Sequence, residues 1–265
     1  MTRRELTDEL TAELGARHEA RFIVDEVLGS GRDLGMRPRP DEVPAGALRA
    51  ARAMAARRAA GEPLQYVFGH WPFRRLDLLV DRRVLIPRPE TEQVVEVALA
   101  EGRRLHRLAA SAPGRDSRDS RDSRDSQGHG GLVAVDAGTG SGAIALALAS
   151  ELGPGVLREV WATDASADAL EVAAANVDAQ RASCGGQLLP RIEIAEGSWL
   201  EALPARVRGS VDLVVANPPY VSAGEWAGLA AEVRAEPRRA LVAGPASDGT
   251  PGLADVEALL EECRA

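Results

Sequence analysis

The 265-residue chain contains no lysine, and all 32 of its basic side chains are arginine. Cysteine is nearly absent: Cys184 and Cys263 are too few for a disulfide framework and lack the paired spacing of a zinc site. His18, His70 and His106 share no metal-ligand pattern, so no metal centre is expected. Aromatic residues make up only 3%, so a core has to be built mostly from Ala, Leu and Val. No apolar run comes near the roughly 18 residues that a membrane span needs. The N-terminus turns acidic at Glu5 without the apolar stretch of a secretory signal. These absences exclude a disulfide-stapled, metal-assembled or membrane-spanning protein and predict a cytoplasmic one that binds no membrane.

Apolar residues at 45% are enough for a packed core, and the length suits two domains. The net charge of −8 is unevenly spread. Residues 1–110 carry 19 arginines against 17 acidic side chains, and residues 132–265 carry 9 against 19. An acidic second half opposes a grip on nucleic-acid phosphates, so no direct nucleic-acid binding is expected. The guanidinium groups of the first half suit docking of a partner's carboxylate, phosphate or carbonyl groups, or an ordinary solvated surface. Between the halves, Arg-Asp-Ser repeats four times over Arg115–Ser126, and nothing in residues 111–131 could bury a face, which predicts a flexible linker.

Leu6, Leu10 and Leu14, then Phe22, Ile23, Val27 and Leu28, form a helical stripe that Gly29-Ser30-Gly31 stops. A further helix over Ala45–Ala60 ends at Gly61-Glu62-Pro63. Over Gln65–Val80 the period shortens and aromatic and β-branched residues alternate. With Leu85-Ile86 after an Asp81-Arg82 turn, this predicts a short hairpin. Glu90–Leu108 reads as a helix with Pro89 at its first turn. Strand signals at Leu132–Asp136, Glu159–Asp164, Arg191–Ala195 and Val211–Ala216 alternate with helical ones at Ala143–Leu152 and Ala167–Gln180. That alternation means an α/β, Rossmann-like fold with a parallel sheet. The expected layout is a helical domain over 1–64, a β-hairpin connector and helix over 65–110, a linker over 111–131 and a cofactor-binding domain over 132–265.

The first strand-to-helix turn is Asp136-Ala137-Gly138-Thr139-Gly140-Ser141-Gly142. Glycines let a backbone turn tightly and approach a ligand where a Cβ would collide. Asp164 closes the second strand 22 residues after Gly142, an offset suited to accepting hydrogen bonds from both ribose hydroxyls. Together they predict an adenosine cofactor. Gly138-x-Gly140-x-x-Ala143 also satisfies the dinucleotide pattern, so NAD remains open on these residues alone.

The fourth strand ends in Asn217-Pro218-Pro219-Tyr220, where ligands of open α/β sheets bind. The asparagine amide and prolines of fixed φ set a rigid row of acceptors for a planar –NH2 group, with Tyr220 able to pack on its flat face. An amide nitrogen is a poor nucleophile because its lone pair is delocalised. Holding both its hydrogens while the lone pair faces an electrophilic methyl lowers the barrier by orientation and electrostatics.

The glycine turn, Asp164 and Asn217-Pro218-Pro219-Tyr220 together resemble S-adenosylmethionine-dependent amino-methyltransferases. Within that group, Gly61-Glu62-Pro63-Leu64-Gln65-Tyr66, Gly69, Val84–Glu92 and Val233-Arg234-Ala235-Glu236-Pro237 resemble the peptide chain release factor glutamine methyltransferases (HemK/PrmC-type). The resemblance covers nearly the whole chain outside the Arg-Asp-Ser repeat. It implies methylation of the glutamine side-chain amide in the Gly-Gly-Gln motif of class I peptide chain release factors, with S-adenosyl-L-methionine as cofactor. It further implies that the helical domain holds the factor and that Gly138, Thr139, Gly140, Ser141 and Gly142 bind the cofactor's methionine part. Asp164 would bind the ribose, Ser198 and Trp199 would edge the adenine, and Asn217 with the carbonyl after it would position the glutamine amide. Arg88 and Thr91 would sit in a connector that closes over the site.

The alternatives are a nucleic-acid amino-methyltransferase with the same site and an inactive release-factor-binding remnant. An NAD enzyme ranks below both, because Asn-Pro-Pro-Tyr has no role in hydride transfer. The inactive remnant arises as an alternative because the resemblance implies a seven-stranded sheet, whereas the sequence stops at Ala265 after the helix that follows the fourth strand. The expectation is a chain truncated at the C-terminus, with strand four as an open edge. Gly185-Gly186-Gln187 copies the implied target motif but falls in a helix-to-strand loop where glycines are expected, so it reads as coincidence.

Overall fold

A computed structural model describes residues 1–29, 42–111, 131–184 and 188–264. Positions 112–130 of the expected linker, Ser30 and Gly31 of the first helix stop, and Gly185-Gly186-Gln187 lie outside the described residues. The chain forms two compact units, Met1–His70 with Leu229–Ala235, and Trp71–Gly228 with Glu236–Ala265.

The first unit holds α1 (Arg3–Leu14), α2 (Arg17–Leu28), α3 (Ala45–Ala59) and α4 (Leu64–Phe68). The first leucine stripe is two helices rather than one. Gly15, at φ +69°, terminates α1 in a left-handed conformation that a residue with a Cβ resists. A Thr2–Glu5 capping box opens the same helix. Leu6, Leu10, Ile23 and Val24 pack around Ala20, Ala51 and Ala55, whose small side chains let the helices approach. The stretch from Gln65, expected to begin a hairpin, instead belongs to the helical turn Leu64–Phe68. Pro63 presets its start, Gly69 at φ +81° ends it, and Arg57 donates to the carbonyls of Tyr66 and Val67 at 3.0 Å each.

The second unit, from Trp71, opens within a hairpin of β1 (His70–Phe73) and β2 (Leu76–Leu79), followed by α5 (Pro89–Ser111). Leu85-Ile86 joins no strand. There follow β3 (Leu132–Ala137), α6 (Ala143–Leu152), β4 (Leu157–Asp164), α7 (Ala167–Ser183), β5 (Arg191–Glu196), β6 (Leu213–Ala216) and β7 (Val221–Ser222). The short α8 (Ala231–Arg234) belongs to the first unit, and β8 (Val242–Ala243) and α9 (Ala254–Glu262) complete the second.

The four central strands lie in the order β5-β4-β3-β6, all parallel, with Val135 opposite Trp161 on one side and Val214 on the other. Every residue of β3 is buried, as a central strand covered on both faces requires. Ala134 and Leu132 face a core with Leu146, Leu148, Val95, Leu99 and Phe73. Val133 and Val135, pointing the other way, meet Trp161, Leu203, Val207 and Leu259. Strand order reverses between β3 and β6, which opens a crevice at their carboxyl ends.

Candidate active site

The crevice between the ends of β3 and β6 is a cleft of about 230 Å³. Its floor is the turn between β3 and α6. Gly138, Gly140 and Gly142 take φ values of +76°, +55° and +83°, in the region that favours glycine. A Cβ on Gly138 would stand 3.2 Å from the Trp199 ring, a contact that the indole could meet only by giving way by a few tenths of an ångström. Trp199 is itself held at φ +40°, a left-handed conformation costing about 1 kcal/mol or more. It lines the cleft beside Ser198.

The turn is fastened from three directions. Thr163 O accepts from the N–H groups of Gly138 at 2.9 Å and Thr139 at 2.8 Å. Asp164 accepts from Gly140 N through Oδ2 and from Ser166 N through Oδ1, each at 2.9 Å. A carboxylate offers about four acceptor sites, so two remain for hydroxyls of a ligand. Below the turn, Asp136 is fully buried; its Oδ2 accepts from Thr139 Oγ1 at 2.5 Å and from Ala145 N at 2.9 Å, and Oδ1 has no partner among the described residues. Burial pushes the Asp136 carboxyl up to about 7; its two hydrogen bonds oppose that rise and the charge of Asp164 adds to it.

On the β6 side, Asn217 and Pro219 line the cleft, with Thr91 from the first turn of α5 beside them. Asn217 Nδ2 donates to Thr91 Oγ1 at 3.3 Å. The roof comprises Leu85 and Pro87 from the connector and Pro237, Arg239 and Ala240 from the segment before β8. Glu236, 5% exposed, ties the two roof segments by accepting from Ile86 N at 2.9 Å and pairing with Arg88. Arg239 donates to the Ser166 hydroxyl that caps α7.

Of the residues singled out from sequence, Gly138, Thr139, Gly140, Ser141, Asp164, Ser198, Trp199, Asn217, Pro219 and Thr91 line one cleft. Gly142, Pro218, Tyr220 and Arg88 do not. Gly142 caps α6 instead. Tyr220 is 63% exposed, and its N–H donates to Leu241 O. Arg88 serves the Glu236 ion pair.

Several further residues escaped the sequence reading. Asn176, buried in α7, donates to Leu79 O at 3.1 Å and Ser141 O at 2.8 Å and accepts from Leu79 N at 2.7 Å, binding β2 to the glycine turn. An asparagine on the buried side of an alanine-rich helix is a poor helix former there, which is the signal that could have found it. Asp255, on the first turn of α9, also lines the cleft, and burial raises its carboxyl above the usual range. Nothing in its local sequence marks it.

The cleft fits S-adenosylmethionine. Gly138 gives a bare-backbone approach beside a flat indole, Asp164 has acceptor capacity for a ribose, and Asn217 lies across the same space. No helix among the described residues is long and apolar enough to cross a membrane.

Family models match two stretches of the chain: the PrmC N-terminal domain over residues 2–69 and the methyltransferase small domain over residues 126–244. A protein of Bordetella pertussis named release factor glutamine methyltransferase is 40% identical over 253 residues, 95% of this chain and 79% of the relative. Proteins of the same name from Chlorobaculum tepidum and Moorella thermoacetica are 45% and 41% identical, over 74% and 71% of this chain. The aligned segments span only 58% and 54% of those two relatives.

Proposed function

Because this chain belongs to the release factor glutamine methyltransferase family, we propose that it methylates the side-chain amide nitrogen of the glutamine in the Gly-Gly-Gln motif of class I peptide chain release factors. S-adenosyl-L-methionine, bound in the cleft, would supply a methyl on a positively charged sulfur. The observation that carries this reading is the meeting of Asn217 and Pro219 with the glycine turn and Asp164 in one cleft.

The residues divide the work. Gly138 and Gly140 leave room for the cofactor's methionine part, Asp164 takes the ribose hydroxyls, and Ser198 and Trp199 flank the adenine. Asn217 and the backbone carbonyl after it would accept from the substrate –NH2 and turn its lone pair toward the methyl. Fixing that geometry removes orientational entropy from the barrier, and fixed dipoles stabilise charge developing on nitrogen. No strong base is required, since the proton departs once nitrogen has become cationic. The helical first unit would hold the factor, and the reaction belongs to the cytoplasm, where the factors work.

The test combines the full chain, labelled S-adenosylmethionine and a class I release factor, with the methylated residue located by mass spectrometry. Label is expected on the motif glutamine, none on a factor whose glutamine is replaced by glutamate, and about 10²-fold slower transfer by Asn217→Ala. Label appearing in nucleic acid, or none in the factor, would overturn the reading.

A further inference from the structure

Threonine and serine hydroxyls inside helices ordinarily bond back to the carbonyl one turn earlier. This protein follows that habit: Thr7 Oγ1 donates to Arg3 O at 2.8 Å, Thr11 Oγ1 to Thr7 O at 2.6 Å, and Ser150 Oγ to Leu146 O at 2.8 Å. Thr91 stands apart. It is the third residue of α5, so its own first turn offers no carbonyl four residues back. Although the residue is only 7% exposed, its hydroxyl reaches across 126 positions of sequence to Asn217 Nδ2 at 3.3 Å. Both side chains line the cleft. A buried site of this size would accept valine, which fills almost the same volume; what threonine adds is the hydroxyl.

An asparagine amide has two ends of opposite character, an acceptor oxygen and a donor nitrogen, and a half-turn about its last bond exchanges them. A threonine hydroxyl can donate as well as accept, so it is the orientation seen in the structure, with Nδ2 on Thr91 Oγ1, that leaves Oδ1 as the end free for the cleft. An acceptor there takes an N–H of a primary amide and repels the oxygens of a carboxylate. Were the amide reversed, its NH2 would attract the substrate's carbonyl oxygen and draw nitrogen away from the reacting position.

We propose that Thr91 is a positioning residue that locks the Asn217 amide with its oxygen toward the substrate nitrogen, and that this lock discriminates glutamine from glutamate. The assignment rests on the proposed function for its substrate, while the lock itself is a property of two side chains and is measurable without turnover.

The experiment compares Thr91→Val and Thr91→Ser with the parent chain in two ways. The first is the nitrogen–proton spectrum of the asparagine side chains, in which the Asn217 amide pair is assigned by its loss in Asn217→Ala. Thr91→Val is expected to move that pair toward free-amide shifts and speed its exchange with solvent, and Thr91→Ser to leave it near the parent position. The second is kinetics on the release factor. Thr91→Val should lower kcat about tenfold with the KM for the factor within about twofold, and Thr91→Ser should restore kcat to within about twofold. A glutamate-for-glutamine factor should inhibit Thr91→Val more strongly than the parent, by about fivefold or more.

An Asn217 amide pair unmoved by Thr91→Val overturns the lock. Equal damage from valine and serine overturns it too, because packing rather than the hydroxyl would then be at work. If the parent never methylates a release factor, the proposed function fails, and the spectrum still decides the lock.

Discussion

At the scale of single residues, the cleft depends on atoms that are missing and on a carboxyl kept from water. Gly138 illustrates the first. Its φ of +76° and the 3.2 Å approach of the Trp199 ring mean that Gly138→Ala meets both backbone strain and a tight contact with the side chain of a residue whose own backbone is left-handed. Calorimetry with S-adenosylhomocysteine should show affinity reduced at least about tenfold, with the far-ultraviolet spectrum of the chain unchanged. Asp136 illustrates the second. Its carboxyl lies near 7 in the fold against 3.8 for the exposed group, so the folded state binds a proton that the unfolded state has already released. Stability contributed by that group is therefore present in full below about pH 4 and is lost as pH rises toward 7, by up to about 4 kcal/mol. Urea unfolding of the parent and Asp136→Asn at pH 5 and pH 7.5 isolates the effect from other carboxylates. The variant should gain on the parent as pH rises, and a constant difference would mean Asp136 is ionised throughout. The turn was legible in the sequence because glycine spacing is a local signal. The fate of Asp136 was not, because burial depends on Thr139, α6 and β4 closing around it.

At the scale of elements, the parallel strands and their helices could be read from period and punctuation, since each strand is a short β-rich run and each helix opens after glycine or serine. Contacts among elements far apart in sequence could not. The first helical stripe looked continuous because its leucines keep their spacing through Gly15, whose left-handed conformation is what divides α1 from α2. Leu64–Phe68 carries β-prone aromatic and branched residues yet is helical, because Arg57 from α3 satisfies its final carbonyls. Glu236 and Asn176 do similar work around the cleft. Asn176 uses one acceptor and two donors on backbone groups of Leu79 and Ser141, and no other amide orientation satisfies all three. Asn176→Leu leaves those groups without partners, at a cost of about 2–4 kcal/mol. It should also weaken S-adenosylhomocysteine binding, because Ser141 belongs to the turn. Denaturant midpoints and calorimetry check both effects. Lost stability with unaltered affinity would confine Asn176 to holding the hairpin.

At the scale of the whole molecule, two units with separate cores share one chain, and the tryptophans are distributed unequally between them. Trp71, Trp161, Trp199 and Trp226 all belong to the second unit, and the first contains none. Indole fluorescence therefore reports the unit that carries the cleft, whereas the helical circular dichroism signal reports both. A ligand that binds only the folded cleft stabilises it by about 2.7 kcal/mol when present at 100 times its Kd. S-adenosylhomocysteine should accordingly shift the fluorescence-detected unfolding transition upward. The dichroism curve should separate into a component that moves with it and one that stays, because the core of Leu6, Leu10, Ile23 and Val24 gains nothing from a ligand at Gly138 and Asp164. Fluorescence and dichroism moving together by the same amount would show that the units unfold as one cooperative body. No shift in either signal would mean that the cleft, although lined by acceptors suited to the cofactor, does not hold it.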